Sequence, residues 1–258
     1  MKSIYFILLL LVIASCKKED NPEASTEIDT SESEYPFELT PIQHASFVLD
    51  WGKEAVYVDP SAEKFKFKNL PDPTLVLLTD IHGDHLNLET LKSLPQTYHI
   101  VAPIAVYKKL PEEYQNKTKI LPNGKTLEFH GFEIEAIAMY NTTEERKKFH
   151  EKGRGNGYVV SKDNYRVYIS GDTEGVPEMK KLKKIDLAFI CMNLPYTMLP
   201  EAAAEATLAF KPNEVIPYHY RGKKDGETHY YDTKKFKRII NKNNPEIKVR
   251  LLDWYPAN

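Results

Sequence analysis

A six-residue loop that follows a short apolar segment carries four side chains able to bind metal ions. The segment is Leu75-Val76-Leu77-Leu78, and the loop contributes Asp80, His82, Asp84 and His85. Carboxylates and neutral imidazoles are common ligands of divalent cations, and a loop at the end of a buried strand can direct several of them to one point. This spacing predicts a metal site. The alternative at this point is a loop that caps a helix and exposes its histidines.

Three further polar residues, far apart in the chain, follow predicted strands or lie in a flexible loop. His150 precedes a glycine-rich stretch, Asp172 follows a predicted strand at 166–170, and His219 follows one at 215–218. Functional side chains gather at such positions in α/β proteins, because loops at the carboxyl ends of strands meet at one edge of a sheet. We therefore expect all three residues to converge with the loop ligands.

Strand-like and helix-like segments alternate along the chain and must position these residues. Strands are predicted at 47–49, 55–58, 75–78, 100–102, 133–139, 157–161, 166–170, 215–218 and 248–252. Helices are predicted at 88–94, 177–184, 200–211 and 233–243, the first of them capped by Asn87. The alternation predicts a layered α/β protein. Residues 37–258 are enough for a single domain with its own core.

The amino terminus has the composition of an export signal. Met1-Lys2 precedes an apolar run that ends in Ile13-Ala14-Ser15-Cys16, which predicts a signal peptide over residues 1–16 and resembles a lipobox in which Cys16 is lipidated. Ordinary secretion with a leftover Cys16 is the alternative. Residues 17–36 hold two lysines and seven acids, which predicts a flexible tether. We expect an exported cell-envelope lipoprotein, anchored to a membrane through Cys16. The tether's start, Lys17-Lys18-Glu19-Asp20, resembles signals that direct lipoproteins to the outer-membrane surface.

Charge and cysteine content narrow the expected partners. Residues 37–258 hold 32 basic and 30 acidic side chains, a balance that gives no reason to expect a nucleic-acid partner. Cys191 is the only cysteine in that range and lies in the apolar run 185–192, so we expect it to pack in the core and to form no disulfide. The sequence predicts no oligomeric state.

Taken as a set, the ligand candidates resemble the motif pattern of the metallo-β-lactamase superfamily. The matching order is Asp80-x-His82-x-Asp84-His85, His150, Gly171-Asp172-Thr173 and His219, with Asp59 as the first, mainly structural acid. The branch containing L-ascorbate 6-phosphate lactonase and N-acyl-phosphatidylethanolamine phospholipase D is similar in further phrases, namely His44-Ala45-Ser46, Asp59-Pro60, Gly153-x-Gly155-x-Gly157-Tyr158 and Tyr218-His219-Tyr220. The resemblance covers nearly all of residues 37–258. It implies the superfamily's four-layer αβ/βα sandwich.

The resemblance also implies two divalent metal ions, with zinc as the first expectation. One ion would be bound by Asp80, His82 and His150, the other by Asp84, His85 and His219, with Asp172 as the bridge. The superfamily usually has a histidine where this chain has Asp80. If Asp80 binds, its hard oxygen tilts the site toward manganese or iron. If it does not, one ion is held loosely.

The implied activity is hydrolysis of an ester, lactone, phosphodiester or amide by a metal-bound hydroxide, in a small-molecule or lipid-like substrate. Asp84, His44 and Tyr196 are the candidates for catalytic roles, although His44 could equally make a structural hydrogen bond and Tyr196 could simply pack its loop. Arg154 could bind a substrate phosphate or carboxylate, or be an exposed loop charge. Two other functions stay open: an iron-dependent oxidoreductase of the same fold, and a non-catalytic metal- or ligand-binding lipoprotein.

Overall fold

The computed structural model describes residues 35–256, so the predicted signal peptide (1–16) and nearly all of the predicted tether (17–36) lie outside the described residues. Tyr35 of the predicted tether belongs to the folded part. It is buried, stacks on Phe37 with ring centroids 5.2 Å apart, and donates a hydrogen bond of 2.9 Å to Glu214. The fold therefore begins slightly before the predicted boundary. Within residues 35–256, no helix combines the length and apolar character needed to cross a bilayer.

The first sheet contains six strands that neighbour one another in chain order. They are β1 (Glu38–Gln43), β2 (Ser46–Asp50), β3 (Ala55–Val58), β4 (Leu75–Leu77), β5 (His99–Ala102) and β6 (Thr118–Ile120). The pairs from β1 to β3 are antiparallel, and those from β3 to β6 are parallel. All three residues of β4 are apolar and buried, as expected for a parallel strand covered on both faces.

The second sheet has seven strands in the order β15-β12-β11-β10-β9-β8-β7. They are β7 (Thr126–Phe129), β8 (Phe132–Met139), β9 (Gly155–Lys162), β10 (Tyr165–Ile169), β11 (Leu187–Cys191), β12 (Glu214–Tyr218) and β15 (Lys248–Val249). β7 to β10 pair antiparallel, whereas β10, β11, β12 and β15 are parallel. A separate hairpin consists of β13 (Arg221–Lys224) and β14 (Glu227–Tyr230).

Seven α-helices lie in the described part of the chain. They are α1 (Leu88–Ser93), α2 (Ile104–Tyr107), α3 (Glu112–Gln115), α4 (Glu144–Lys147), α5 (Pro177–Lys180), α6 (Pro200–Phe210) and α7 (Thr233–Asn243), and one 3-10 helix spans Lys64–Phe67. The Asn87 side chain caps α1 as predicted, accepting from the Thr90 N–H at 2.9 Å. The predicted helix 177–184 was too long. Lys184 has φ of 54°, which a right-handed helix does not accommodate.

Two hydrophobic cores define the layers. The larger core lies between the sheets, where Phe47 of β2 stacks on Phe189 of β11 with ring centroids 4.3 Å apart. The smaller core covers the other face of the first sheet and joins Val76 of β4 to Leu91 of α1. Helices α5 to α7 pack together against the second sheet. Two facing sheets with helices outside each form the expected αβ/βα sandwich, so the predicted fold class is confirmed.

Candidate metal centre

The predicted ligands meet at one edge of the sandwich, where several parallel strands end. The loop 79–85 leaves the carboxyl end of β4, Asp172 follows β10, and His219 follows β12. His150 lies between α4 and β9, and reaches the same edge from its loop. In open α/β sheets this edge is where ligands bind, because no helix covers the loops that leave the strand ends.

Three of these residues, Asp80, His82 and His150, form what we call the Asp80 cluster. One potential ligand atom from each lies within 4.8 Å of the others. The Nδ1 atom of His82 is 2.6 Å from Asp80 Oδ2, and the Nε2 atom of His150 is 3.7 Å from the same oxygen. Asp80 and His150 are buried, whereas the His82 side chain is 42 % exposed. One side of this cluster therefore faces solvent.

A second group, which we call the His85 cluster, consists of His85, Asp172 and His219, all of them buried. Asp172 lies between the two imidazoles: its Oδ2 is 3.7 Å from His85 Nε2, and its Oδ1 is 3.3 Å from His219 Nε2. The two Nε2 atoms are 3.3 Å apart. Three ligand atoms thus converge on a volume of atomic size.

Two carboxylates connect the clusters. Asp172 Oδ2 also lies 3.4 Å from His150 Nε2, so this one side chain contacts both groups. Asp84 Oδ2 is 3.4 Å from His219 Nε2, and Asp84 Oδ1 is 3.9 Å from His85 Nε2. The structure therefore brings all seven predicted metal ligands into one connected site.

The donor set fits divalent cations. Asp172 Oδ1 is buried and has no hydrogen-bond donor among residues 35–256, although its chemistry demands a cation or a donor. Burial alone would raise the pKa of Asp172, but the nearby rings of His219 and His85 hold it well below its usual value. The pKa of Asp84 is lowered in the same way against its burial, chiefly by His85. Both side chains are thus anionic at neutral pH and able to bind metal.

Behind the His85 cluster, Asp59 supports the metal loop without reaching the centre. Asp59 Oδ2 is 2.8 Å from His85 Nδ1, and the Thr79 N–H and hydroxyl donate to Asp59 at 2.8 and 2.6 Å. A histidine whose Nδ1–H donates to a carboxylate presents its Nε2 lone pair to a metal in a fixed direction. Asp59 therefore orients the ring of His85, as its predicted structural role requires.

Arg154 takes a role that the sequence did not predict. Its guanidinium meets both oxygens of Asp80, Nε to Oδ1 at 3.2 Å and Nη2 to Oδ2 at 3.1 Å, and it also donates to the Phe149 carbonyl. The Arg154 side chain is only 16 % exposed. Arg154 is thus not an exposed charge, and that alternative was wrong; its pairing with Asp80 is a role that neither alternative described. The one feature of the sequence that indicated a cationic partner was Asp80, an acid where the superfamily usually has a histidine.

His44 is buried and lies against the outer side of the site. Its Nε2 is 3.1 Å from Asp84 Oδ2, its Nδ1 is 2.5 Å from the hydroxyl of Tyr255, and its ring lies 3.8 Å from that of His219. Burial, and then the neighbouring His219, lowers the pKa of His44 to about 3. His44 is therefore neutral at physiological pH and linked by hydrogen bonds to Asp84. No pattern in the sequence indicated a role for Tyr255.

Tyr196 contributes its backbone as well as its ring. Its carbonyl oxygen accepts from Asn141 Nδ2 at 2.6 Å and lies 3.2 Å from His150 Nδ1, which leaves Nε2 of that ring facing the ligands. Asn193, which follows β11, was missed, although the strand-end rule that predicted Asp172 applies to it equally. Its amide nitrogen is 2.8 Å from His219 Nδ1.

A cavity of about 370 Å³ opens over the site. Its wall includes five of the predicted ligands, His82, Asp84, His150, Asp172 and His219, and also Tyr196. A larger depression of about 880 Å³ lies around the β7–β8 and β9–β10 turns and contains none of them, so we do not associate it with the chemistry. Cys191 is buried in the core, and burial raises the pKa of its thiol to about 12, which agrees with a packing role.

Comparison with known proteins gives consistent matches. Residues 38–219 match the family model described as "Beta-lactamase superfamily domain". A UPF0173 metal-dependent hydrolase of Methanopyrus kandleri is 29 % identical over 226 residues, covering 83 % of this chain and 96 % of the relative. Another, from Thermococcus onnurineus, is 30 % identical over 186 residues, covering 69 % and 81 %.

Solved structures agree with the sequence relatives. A crystal structure assigned to a metal-dependent hydrolase from Parabacteroides distasonis has 37 % sequence identity and a TM-score of 0.70, covering 83 % of this chain and 91 % of that one. A metallo hydrolase from Ignicoccus hospitalis has a TM-score of 0.68 at 22 % identity, covering 83 % and 94 %, and shows similarity of fold alone.

Proposed function

Because the chain belongs to the β-lactamase superfamily and is a metal-dependent hydrolase, we propose that its site holds two divalent cations. In this proposal the Asp80 cluster binds one, His85, Asp84 and His219 bind the other, and Asp172 lies between them. The observation that carries the proposal is the position of Asp172, within 3.3 to 3.7 Å of three imidazoles from both clusters. A buried carboxylate surrounded by ring nitrogens is stable as a shared ligand of cations.

We propose zinc as the resident metal. Four imidazoles suit zinc, and the additional carboxylate oxygen of Asp80 would by itself favour manganese or iron. Arg154 offsets the negative charge that Asp80 adds, because a guanidinium beside a carboxylate makes a pair with no net charge. The pair therefore matches the charge of the neutral histidine usual at this place in the superfamily, and keeps the site compatible with zinc.

We further propose that the reaction is hydrolysis of an ester, lactone, phosphodiester or amide bond. Cations bound at the two clusters would supply an acidified water and polarise the scissile carbonyl or phosphoryl oxygen. Neighbouring groups orient two of the candidate ligands. His44 fixes the Asp84 carboxylate through its hydrogen bond, and the Tyr196 carbonyl fixes the ring of His150. Tyr196 is a residue of the cavity wall, and we assign its hydroxyl as the proton donor to the leaving group.

Metal analysis combined with a substrate panel tests the proposal. The full chain is analysed for bound metal and assayed against p-nitrophenyl phosphodiesters, lactones and acyl esters, after chelation and after zinc is restored. We expect chelation to abolish turnover, zinc to restore it, and Asp172→Ala to lose about 1,000-fold, since a two-metal site supplies roughly 4 kcal/mol of transition-state stabilisation.

The matched control is Asp72→Ala, the same change at an exposed acid away from the site. It should retain both the metal and the activity. Full turnover in metal-stripped protein would disprove the proposal, and oxygen consumption during turnover would identify iron-dependent oxidation instead.

A further inference from the structure

The hairpin β13–β14 places two cationic side chains on the wall of the cavity. Arg221, partly buried, and Lys223, exposed, both line it. Among the described residues, the only carboxylates on that wall are Asp84 and Asp172, which belong to the metal site. Once those two acids are committed to cations, the remaining charge on the wall is positive. Such a wall attracts anions and repels cationic substrates.

Arg221 is held beside the site with its hydrogen-bond donors free. Its guanidinium carbon lies 5.3 Å from the ring centroid of Tyr255, a cation–π contact, and its backbone N–H donates to the Tyr255 hydroxyl at 3.2 Å. The same hydroxyl lies 2.5 Å from His44 Nδ1. Within residues 35–256, no carboxylate oxygen comes within 4.0 Å of the Arg221 guanidinium, so its donors are available to a ligand.

The hairpin is fixed in this position by close backbone contacts. The Lys223 N–H donates to the Leu194 carbonyl at 3.0 Å, and the Tyr231 hydroxyl donates to the Lys223 carbonyl at 3.1 Å. A Cβ atom at Gly222 would lie 2.1 Å from the Leu194 oxygen, so only glycine allows the strand to approach this closely. The strand that carries the two cations is therefore positioned before any substrate arrives, which lowers the entropic cost of binding.

We propose that Arg221, assisted by Lys223, forms an oxyanion-binding subsite, and that the substrate carries a carboxylate or phosphate group near the bond to be cleaved. The proposal rests on the hydrolytic function proposed above. A guanidinium recognises either group through two parallel hydrogen bonds, whereas an ammonium acts as a single point charge. Arg221 is therefore the main determinant, and Lys223 adds attraction at the rim.

A matched pair of esters tests the subsite. Mono(4-nitrophenyl) adipate and 4-nitrophenyl hexanoate have acyl chains of equal length, and only the first bears a carboxylate. The measured quantity is the ratio of kcat/KM for the two esters, with the zinc-loaded full chain. We expect the native protein to favour the adipate ester, and Arg221→Met to lower the ratio about 10- to 100-fold, the effect of losing hydrogen bonds to a charged group.

Two further variants and one further measurement keep the test decisive. Arg221→Lys keeps the charge and should lose part of the ratio, and it replaces Arg221→Met if that variant fails to fold. Lys224→Met removes the same charge from the same strand but outside the cavity wall, and should change nothing. Calorimetric titration with inorganic phosphate and with adipate measures anion binding without turnover, and the tighter of the two identifies the preferred group.

An unchanged ester ratio and unchanged anion affinities in Arg221→Met would overturn the subsite. An equal loss in Lys224→Met would also overturn it, because the effect would then be general charge. If neither ester shows zinc-dependent turnover, the proposed hydrolysis of such bonds fails, while the phosphate and adipate affinities still decide the subsite.

Discussion

The two ligand clusters differ in how the protein surrounds them. Every member of the His85 cluster is buried, and the ring of His85 is fixed from behind by Asp59. The Asp80 cluster opens to solvent at His82 and depends on a carboxylate whose two oxygens are already bonded to Arg154. One half of the site is thus a closed set of conventional ligands, and the other half is an exposed set with an ion pair in place of a histidine.

This difference shows how an acid in a histidine's usual place can be accommodated without changing the charge of a site. A buried carboxylate near other acids is costly, and a guanidinium with two aligned donors offsets that cost. The pair also fixes the orientation of the Asp80 carboxylate, whose Oδ2 faces His82 and His150 as well as Arg154 Nη2, while Oδ1 accepts from Arg154 Nε. We expect a cation at the Asp80 cluster to be bound more weakly and to exchange faster than one at the His85 cluster.

The largest effect is expected from breaking the ion pair. In Arg154→Met the Asp80 carboxylate is buried without its counter-charge, which should lower the free energy of unfolding of the metal-free protein by about 3–5 kcal/mol. Added zinc should then stabilise the variant more than it stabilises the native protein, because the cation replaces the missing charge. Urea denaturation with chelator and with zinc measures both quantities.

Two controls separate this pair from ordinary charge loss. Lys152 lies in the same loop as Arg154 and forms an exposed ion pair of 3.0 Å with Glu178 of α5. Lys152→Met breaks this pair and should leave the free energy of unfolding nearly unchanged, because exposed ion pairs contribute little to stability. Asp80→Asn combined with Arg154→Met leaves no unpaired charge and should recover most of the lost stability. A metal-free Arg154→Met protein as stable as the native one would contradict the proposed role of the pair.

The convergence of the candidate ligands could be predicted from the sequence, because their positions at strand ends are a local property. The Asp80-to-His85 loop follows the wholly apolar strand β4, and Asp172 and His219 follow β10 and β12, so a rule about strand ends brings them together. Arg154 and Asp80 are 74 residues apart, and Tyr255 and His44 are 211 apart. No local pattern encodes those contacts, and only the packing of the two sheets creates them.

The same reasoning explains the partial success with the fold. The buried strands β3, β4, β9, β10 and β12 have continuous apolar runs and were predicted. The missed strands β1, β6, β7, β13 and β14 are short or largely exposed, so they lack the hydrophobic pattern on which prediction depends. The buried strand β11 was also missed, because periodicity alone does not distinguish a short apolar run in a strand from one in a helix. The hairpin β13–β14 matters most, since it carries Arg221 and Lys223 to the cavity.

A smaller effect, confined to the closed half of the site, is expected from Asp59→Asn. An amide keeps one acceptor but places N–H donors where the Thr79 hydroxyl and His85 Nδ1 need acceptors. Loss of such an orienting carboxylate typically lowers metal affinity 10- to 100-fold, and we expect a loss of roughly this size in Asp59→Asn. Competition with a chromophoric chelator should show the tighter zinc weakened and the weaker zinc unchanged. Asp72→Asn, at an exposed position, is the control, and an equal weakening of both ions would remove the distinction between the clusters.

The smallest effect is expected from Glu174→Gln, which loosens the connection between the two halves. Glu174 follows Asp172 closely and accepts hydrogen bonds from the Thr142 N–H and hydroxyl, both at 2.7 Å, and from the Thr143 N–H at 2.8 Å, in the loop that leads to His150. Burial alone would raise the pKa of Glu174, but these hydrogen bonds lower it from 4.5 to about 2.

A lowered pKa means that the folded protein gains stability from the ionised carboxylate. The gain is complete above about pH 4.5 and is lost as the pH falls toward 2. Arg146 also pairs with the ionised Glu174. We expect the free energy of unfolding of Glu174→Gln to be roughly 2 kcal/mol lower than that of the native protein at pH 7, and this difference to shrink below pH 4.5. Urea denaturation of both chelated proteins across this range measures the difference. A gap that stays constant down to pH 3 would mean that the loop is held by packing, and that the clusters are joined through Asp172 alone.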